Sequence, residues 1–370
     1  MGKSPTISLC MIVRNEEESL GRCLESVKGI ADEIIIVDTG SNDRTKEIAL
    51  QYGAKVYDFV WIDHFAAARN YAFSLATQQY QLWLDADDVF ESADRAKLLE
   101  LKKRLDPSVD SVTMLYHLAF DASGNPSSSL RRNRLVRRER QFQWIGPVHE
   151  YLAVSGNFMH SDIAVTHRKE RAFTDRNLRI YRKRQAEDES FSQRDLYYFA
   201  NELKDHKHYE EAIQYYEKFL DSEGIWVEDA VSACVKLADC FGSLGRKDDR
   251  LRALCRSFAY DAPRSEPCAL IGDSWLDRKQ YEQAIFWYEL ATKREPSEQT
   301  MGMRNRYAST WYPHLQMCVC YDRLGRLDEA YRHNEIAISY WPDHPSMLFN
   351  RRYFATRLKG SNGDAESVLG

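Results

Sequence analysis

An α/β domain built on a mostly parallel sheet, followed by an all-α domain of paired helices, is the fold this sequence predicts. Three observations carry it. Short apolar runs alternate with helical patterns through the first half, the signature of a parallel sheet. Two of those runs, Glu33–Val37 and Gln81–Leu84, stop at acidic residues on what would be one sheet edge. The second half repeats one helical motif around Ala212, Ala284 and Ala330, with a degenerate copy at Arg250.

The first strand is read at Thr6–Val13. A helix follows with Leu20, Leu24 and Val27 on one face. The second strand ends at Asp38-Thr39-Gly40-Ser41-Asn42-Asp43, where Gly40 allows a tight turn and Ser41 or Asp43 can cap the next helix. Lys55–Phe59 is a third strand, and Asp63 can cap an Ala-rich helix from His64 to about Thr77. Gln81–Leu84 is a fourth strand that runs into Asp85-Ala86-Asp87-Asp88. Carboxylates so close repel one another, and a divalent cation is a usual reason to keep them together. The alternative is an ordinary helix cap, the role expected of Asp88.

The chain has 370 residues, 44% hydrophobic and 29% charged, and a net charge of -5. Those values suit a globular protein with two domains and give no general argument for nucleic-acid or membrane binding. Its eight cysteines form no C-x-x-C pair, so they read as reduced, buried apolar residues of a cytoplasmic protein. Neither a dinucleotide-binding glycine fingerprint nor a P-loop is present.

Four motifs in order, Ser8–Glu16, Asp32–Asp43, Phe65–Asn70 and Leu84–Asp88, resemble family 2 glycosyltransferases of the GT-A (Rossmann-like) fold over roughly the first 170 residues. That resemblance implies a UDP-sugar donor, Mn²⁺ or Mg²⁺, and inversion at the anomeric carbon. Carried over by position, Val13, Asn15, Glu16, Asp38, Thr39, Gly40, Arg69, Asp85 and Ala86 would bind the donor. Asp87 would ligate the metal, with His167 as a further ligand. Asp85-Ala86-Asp87-Asp88-Val89 also fits the nucleophile motif of haloacid dehalogenase-like phosphatases, which normally follows a first strand, not a fourth.

After a helix from Ser92 to about Leu105, Ser111–Phe120 reads as a long strand and residues 121–129 as a turn-rich loop. The cluster Arg131, Arg132, Arg134, Arg137, Arg138 and Arg140 reads as the solvated face of an edge strand, with phosphate or acidic-substrate contact as the alternative. Gly146-Pro147-Val148-His149-Glu150 resembles the acceptor-side motif of family 2 enzymes with helical-repeat tails. Glu150 is the candidate catalytic base, with Trp144 and His149 on the acceptor side; a capped turn around a buried His is the alternative. His160 is expected to be structural.

The second half begins after a charged helix at Thr174–Ser190. Tyr209-Glu210-Glu211-Ala212, Tyr281-Glu282-Gln283-Ala284 and Leu327-Asp328-Glu329-Ala330 resemble tetratricopeptide repeats. Pro263, Pro296 and Pro342 would stop later helices. The boundaries expected are 1–172 for the GT-A domain, 173–192 for a helical linker, 193–358 for the repeats and 359–370 for a frayed tail. Relatives of this layout glycosylate peptides or proteins, so the expected function is transfer of a hexose or N-acetylhexosamine to a Ser, Thr or Cys side chain. A saccharide or lipid-linked acceptor is one alternative. A protein-binding scaffold with an inactive nucleotide-sugar domain is another, and the repeats also admit a homodimer.

Overall fold

A computed structural model of the chain describes residues 4–121, 124–168, 174–294 and 301–366, with side chains to 358. Pro296, Ala122, Ser123 and the last four residues of the expected tail lie outside the described residues. The chain divides into two compact units, 1–119 with 129–191 and 120–128 with 192–370.

In the first unit the elements run β1 (Ile7–Val13), α1 (Leu20–Ser26), β2 (Glu33–Asp38), α2 (Thr45–Gln51), β3 (Lys55–Asp58), α3 (Phe65–Ser74), β4 (Tyr80–Trp83), β5 (Asp88–Val89), α4 (Ser92–Arg104), β6 (Ser111–Phe120), β7 (Pro126–Arg137), β8 (Gln143–Ile145), β9 (Tyr151–Ala153), β10 (Phe158–His167) and α5 (Arg176–Ala186). The main sheet has the order β3-β2-β1-β4-β7-β6-β10-β5. β1 pairs in parallel with β2 and β4, so apolar residues on both faces are covered: Ile7, Leu9, Met11 and Leu82 in one cluster, Cys10, Ile35 and Val37 in another. β7 returns antiparallel beside β4, and β10 runs parallel to β6.

That return corrects one expectation. β7 is not an edge strand: it lies between β4 and β6, and Arg134 on it is fully buried. The register Leu82↔Leu135 brings Arg134 beside Trp83. Local pattern could not supply this, because whether a strand is central depends on the distant strands that flank it. A second correction concerns α3. Its N-cap is His64, whose Nδ1 accepts from the Ala67 N–H at 3.1 Å, while Asp63 accepts from Trp61 Nε1 and pairs with Lys183. α5, expected as a linker, buries Leu178, Ile180 and Tyr181 and falls within the first unit. His160 meets Thr113 Oγ1 through Nδ1 at 2.8 Å.

The second unit holds α6 (Gln193–Asp205), α7 (Tyr209–Leu220), α8 (Val227–Ser243), α9 (Lys247–Arg256), α10 (Ser265–Asp277), α11 (Tyr281–Thr292), α12 (Trp311–Arg323), α13 (Leu327–Tyr340) and α14 (Pro345–Glu366). The repeat anchors Ala212, Ala284 and Ala330 have no exposed surface. They let successive helices approach closely, as each repeat requires a neighbour to cover its apolar face. Gly272 on α10 does the same: a Cβ there would sit 2.5 Å from the Tyr288 ring of α11. α14 continues as helix to Glu366 through much of the stretch expected to fray. No helix among the described residues is long and apolar enough to cross a membrane.

Glu33 on β2 joins β1, β3 and the segment that leads into β4. It accepts from Ser8 Oγ at 2.5 Å, Lys55 Nζ at 2.8 Å and the Thr77 N–H at 2.9 Å. Burial raises its carboxyl pKa, but Lys55, Ser8 and Thr77 outweigh that and lower it from 4.5 to about 2. A depressed folded-state pKa contributes stability that is complete above the unfolded value and lost on acidification. Urea unfolding across pH is expected to lose this contribution as pH falls from 4.5 toward 2. In Glu33→Gln that limb should be shallower. Equal slopes in both proteins would remove the assignment.

Candidate active site at the carboxyl edge of the sheet

β1, β2 and β4 run in parallel and end on one edge, and the loops beyond them bring the acidic motifs together. Val13 and Asp38 are register partners, so Asp38 closes β2 level with the end of β1. Its Oδ1 accepts from the Gly40 and Ser41 N–H groups, both at 2.9 Å. Gly40 adopts φ +103°, which the turn requires. The other oxygen, Oδ2, is buried and has no hydrogen-bond partner. An orphan carboxylate oxygen costs desolvation unless a donor reaches it. Thr39 donates to the Val13 carbonyl at 3.1 Å, so its hydroxyl already has a structural partner. Asn15, at φ +55°, joins the same loop through Ser41 and Asn42. The Glu16 N–H donates to Thr45 Oγ1 at 2.6 Å.

Arg69 on α3 is the centre of a second group. Its Nε donates to Glu150 Oε1 at 2.5 Å and its Nη2 to Asp85 Oδ1 at 2.7 Å. The guanidinium lies 5.1 Å from the Trp83 ring centroid and 4.8 Å from that of Trp144. Those indoles meet edge to face at 4.8 Å. A flat, delocalised cation suits both the paired carboxylates and the aromatic walls. Burial opposes the charge on Arg69, but Asp85 and Glu150 outweigh it and raise its pKa. Burial likewise raises the Asp85 pKa, and Arg69, then Arg134, more than offset it.

The local reason Glu150 reaches Arg69 is a hairpin. β8 and β9 pair with Trp144 opposite Leu152, and residues 146–150 form the turn, with Gly146 at φ +102° and His149 at φ +50°. Asn70, next to Arg69, fixes the hairpin by donating to the Trp144 carbonyl at 2.9 Å and accepting its N–H at 2.8 Å. The Pro147 carbonyl accepts from the Phe65 N–H at the start of α3. Trp144 is buried, so it supports Arg69 from within the core.

Among the described residues, Asp87, Asp88 and His167 offer ligand atoms within 4.8 Å of one another. Asp87 and His167 side chains are partly open, whereas Asp88 is fully enclosed. Asp88 and His167 are register partners of β5 and β10. Hydrogen bonds to Asp87 and then Asp88 raise the His167 imidazole pKa to about 10. Carboxylate oxygens with one imidazole suit Mn²⁺ or Mg²⁺. Ala86, between the acidic residues, is buried.

Asp88 does not cap α4, whose N-cap is Glu91. It pairs instead with Arg134 Nη1 at 2.9 Å and accepts the Tyr116 hydroxyl at 2.9 Å. Asp88, Arg134 and Tyr116 are the residues that sequence reasoning missed. One signal was available: Arg134 directly precedes the apolar Leu135-Val136, and a charge that borders buried residues needs a partner if it is enclosed with them.

Residues 8–165 match the Glycosyl transferase family 2 model. This segment belongs to glycosyltransferase family 2. The chain is 44% identical over 145 residues to a TPR repeat-containing protein of Synechococcus elongatus, covering 39% of this chain and 34% of the relative. It is 31% identical over 151 residues to the SPbeta prophage-derived glycosyltransferase SunS of Bacillus subtilis, covering 40% and 35%. It thus spans about a third of the length of those two relatives. An uncharacterized glycosyltransferase of Rickettsia bellii is 33% identical over 195 residues, covering 43% of this chain and 66% of the relative. Among solved structures, that of the MamA protein aligns over 45% of this chain and 81% of its own at 18% identity, with a TM-score of 0.36.

In the family 2 domain, removing Arg69 leaves two carboxylates facing each other without a cation. Arg69→Met is expected to lower stability at pH 7 by about 3–5 kcal/mol, read by chemical denaturation. A loss under about 1 kcal/mol would show that the clamp is solvated like a surface pair.

Proposed function

We propose that this chain is an inverting, metal-dependent glycosyltransferase that moves a hexose or N-acetylhexosamine from a UDP-sugar to a Ser, Thr or Cys side chain of a peptide or protein. The observation that carries the donor reading is the buried, unpartnered Oδ2 of Asp38. It is an acceptor waiting for a donor, and the N3–H of uracil is such a donor. Asp85 and Arg69 lie beyond the end of β4 on the same edge, where open α/β sheets take their ligands.

Asp87 and His167 are the residues that would hold the metal; Asp88 is closed off. A bound divalent cation supplies positive charge against the diphosphate as it leaves. The acceptor O–H or S–H attacks the anomeric carbon from the face opposite the diphosphate. The carbon–oxygen bond to the diphosphate breaks and its electron pair leaves with the diphosphate. Glu150 takes the acceptor proton, and Arg69 holds that carboxylate in place. The peptide reading rests on the second unit, a series of helical hairpins that leaves Trp226, Phe286 and Phe349 exposed.

Calorimetry with UDP, UDP-glucose, UDP-GlcNAc, UDP-galactose and GDP-mannose, each with and without Mn²⁺, tests the donor half. A uridine sugar is expected to bind in a metal-dependent way, and Asp87→Ala should lose that dependence. No nucleotide binding under any condition would sink the reading. Glu150→Gln is expected to keep donor affinity while transfer falls about 10²–10⁴-fold. Intact-mass measurement of Ser-, Thr- and Cys-containing peptides tests the acceptor; transfer to saccharides alone would redirect it.

A further inference from the structure

Asp88 sits at the metal-candidate cluster, yet both of its oxygens are already claimed. Oδ2 takes Arg134 Nη1 at 2.9 Å and the Asp85 N–H at 3.1 Å. Oδ1 takes the Tyr116 hydroxyl at 2.9 Å. The Asp88 and Arg134 side chains are both fully buried. With a guanidinium N–H and a backbone N–H aimed at one oxygen and a hydroxyl at the other, Asp88 serves as an acceptor on both sides.

The rest of Arg134 explains its aim. Nε and Nη2 have no hydrogen-bond partner. The guanidinium is instead held between ring faces, 3.9 Å from the Trp83 centroid and 4.4 Å from that of Tyr116. The aromatic walls fix the plane, and Nη1 is directed at Asp88.

Tyr116 has one hydroxyl hydrogen. Two bare oxygens 2.9 Å apart would repel, so that hydrogen lies toward Asp88. The Tyr116 oxygen has only lone pairs left for His167 Nδ1, 3.0 Å away. Asp87 Oδ1 and Asp88 Oδ1, each 3.4 Å from Nδ1, are acceptors as well. All three groups facing Nδ1 therefore ask it to donate. This holds for the neutral and the charged ring, because imidazolium also carries a hydrogen on Nδ1.

We infer that Arg134, acting through Asp88 and Tyr116, is a positioning residue that keeps the hydrogen of His167 on Nδ1, so that Nε2 is the nitrogen that ligates a divalent cation and Asp88 is excluded from the ligand set. This rests on the metal-dependent reading proposed above. It gives the isolated arginine of the cluster around residues 131–140 a task in the site without contact to donor or acceptor. Groups that orient a metal-bound imidazole in this way typically change metal affinity 10–100-fold when removed.

Tyr116→Phe is the test, since it removes one oxygen and keeps the ring that stacks on Arg134. Mn²⁺ binding to the full chain is measured by calorimetry. Nitrogen-15 spectra of His167 are recorded on the Mg²⁺-saturated wild type. The expected results are a protonated Nδ1 and a metal-bound Nε2 in the wild type, and a Mn²⁺ Kd about 10-fold weaker in the variant. An unchanged Kd in a folded Tyr116→Phe would overturn the relay and leave the metal reading intact. Metal bound through Nδ1 in the wild type would overturn it without recourse to any variant. A wild type that binds no Mn²⁺ removes the metal reading, and the inference with it.

Discussion

Three carboxylates within four residues, Asp85, Asp87 and Asp88, have to coexist at one end of a buried strand. Left alone they repel, and full enclosure makes the charge on Asp88 more costly still. Two arginines answer this from opposite sides. Arg69 comes from the helix before β4 and pairs with Asp85; Arg134 comes from the antiparallel strand beside β4 and pairs with Asp88. Asp87 is left between them, partly open, with His167 as its neighbour. The division of labour among three chemically identical groups thus follows from which cation each one reaches.

The two arginines share a wall. Trp83 lies under both guanidinium groups, and its indole N–H donates to the Asn133 carbonyl, which fixes its plane. Arg69 is also the link between the strand-end acids and Glu150 on the hairpin. Neither half of the site is positioned by its own loop alone. The loop after β4 is tied to β7 through Arg134, and the hairpin is tied to α3 through Asn70 and Arg69.

Much of this was legible in the order of residues. Strand ends at Asp38 and Asp85 stand out because an apolar run stops abruptly at a carboxylate, and parallel pairing then puts such ends on one edge. The repeated Ala anchors of the second half declare helix pairs because only a small residue fits there. What local pattern could not supply was Arg134. A run rich in arginine describes a solvated edge strand equally well, and the difference lies in β4 and β6, which flank β7 in space. The α3 cap escaped for a related reason. Asp63 is the residue type expected at that position, but Lys183, far along the chain, occupies it, and His64 takes the role.

The enclosure of Asp88 and Arg134 also bears on how such a site can change over generations. Losing either partner strands a charge in the core, whereas exchanging both for neutral residues of similar size leaves nothing stranded. The two positions are therefore bound to drift as a pair. Among sequences of this kind, they should vary together despite lying on strands far apart in the chain. A copy that keeps the open carboxylate of Asp87 but has lost both buried charges would have kept its shape and given up the orientation of its histidine.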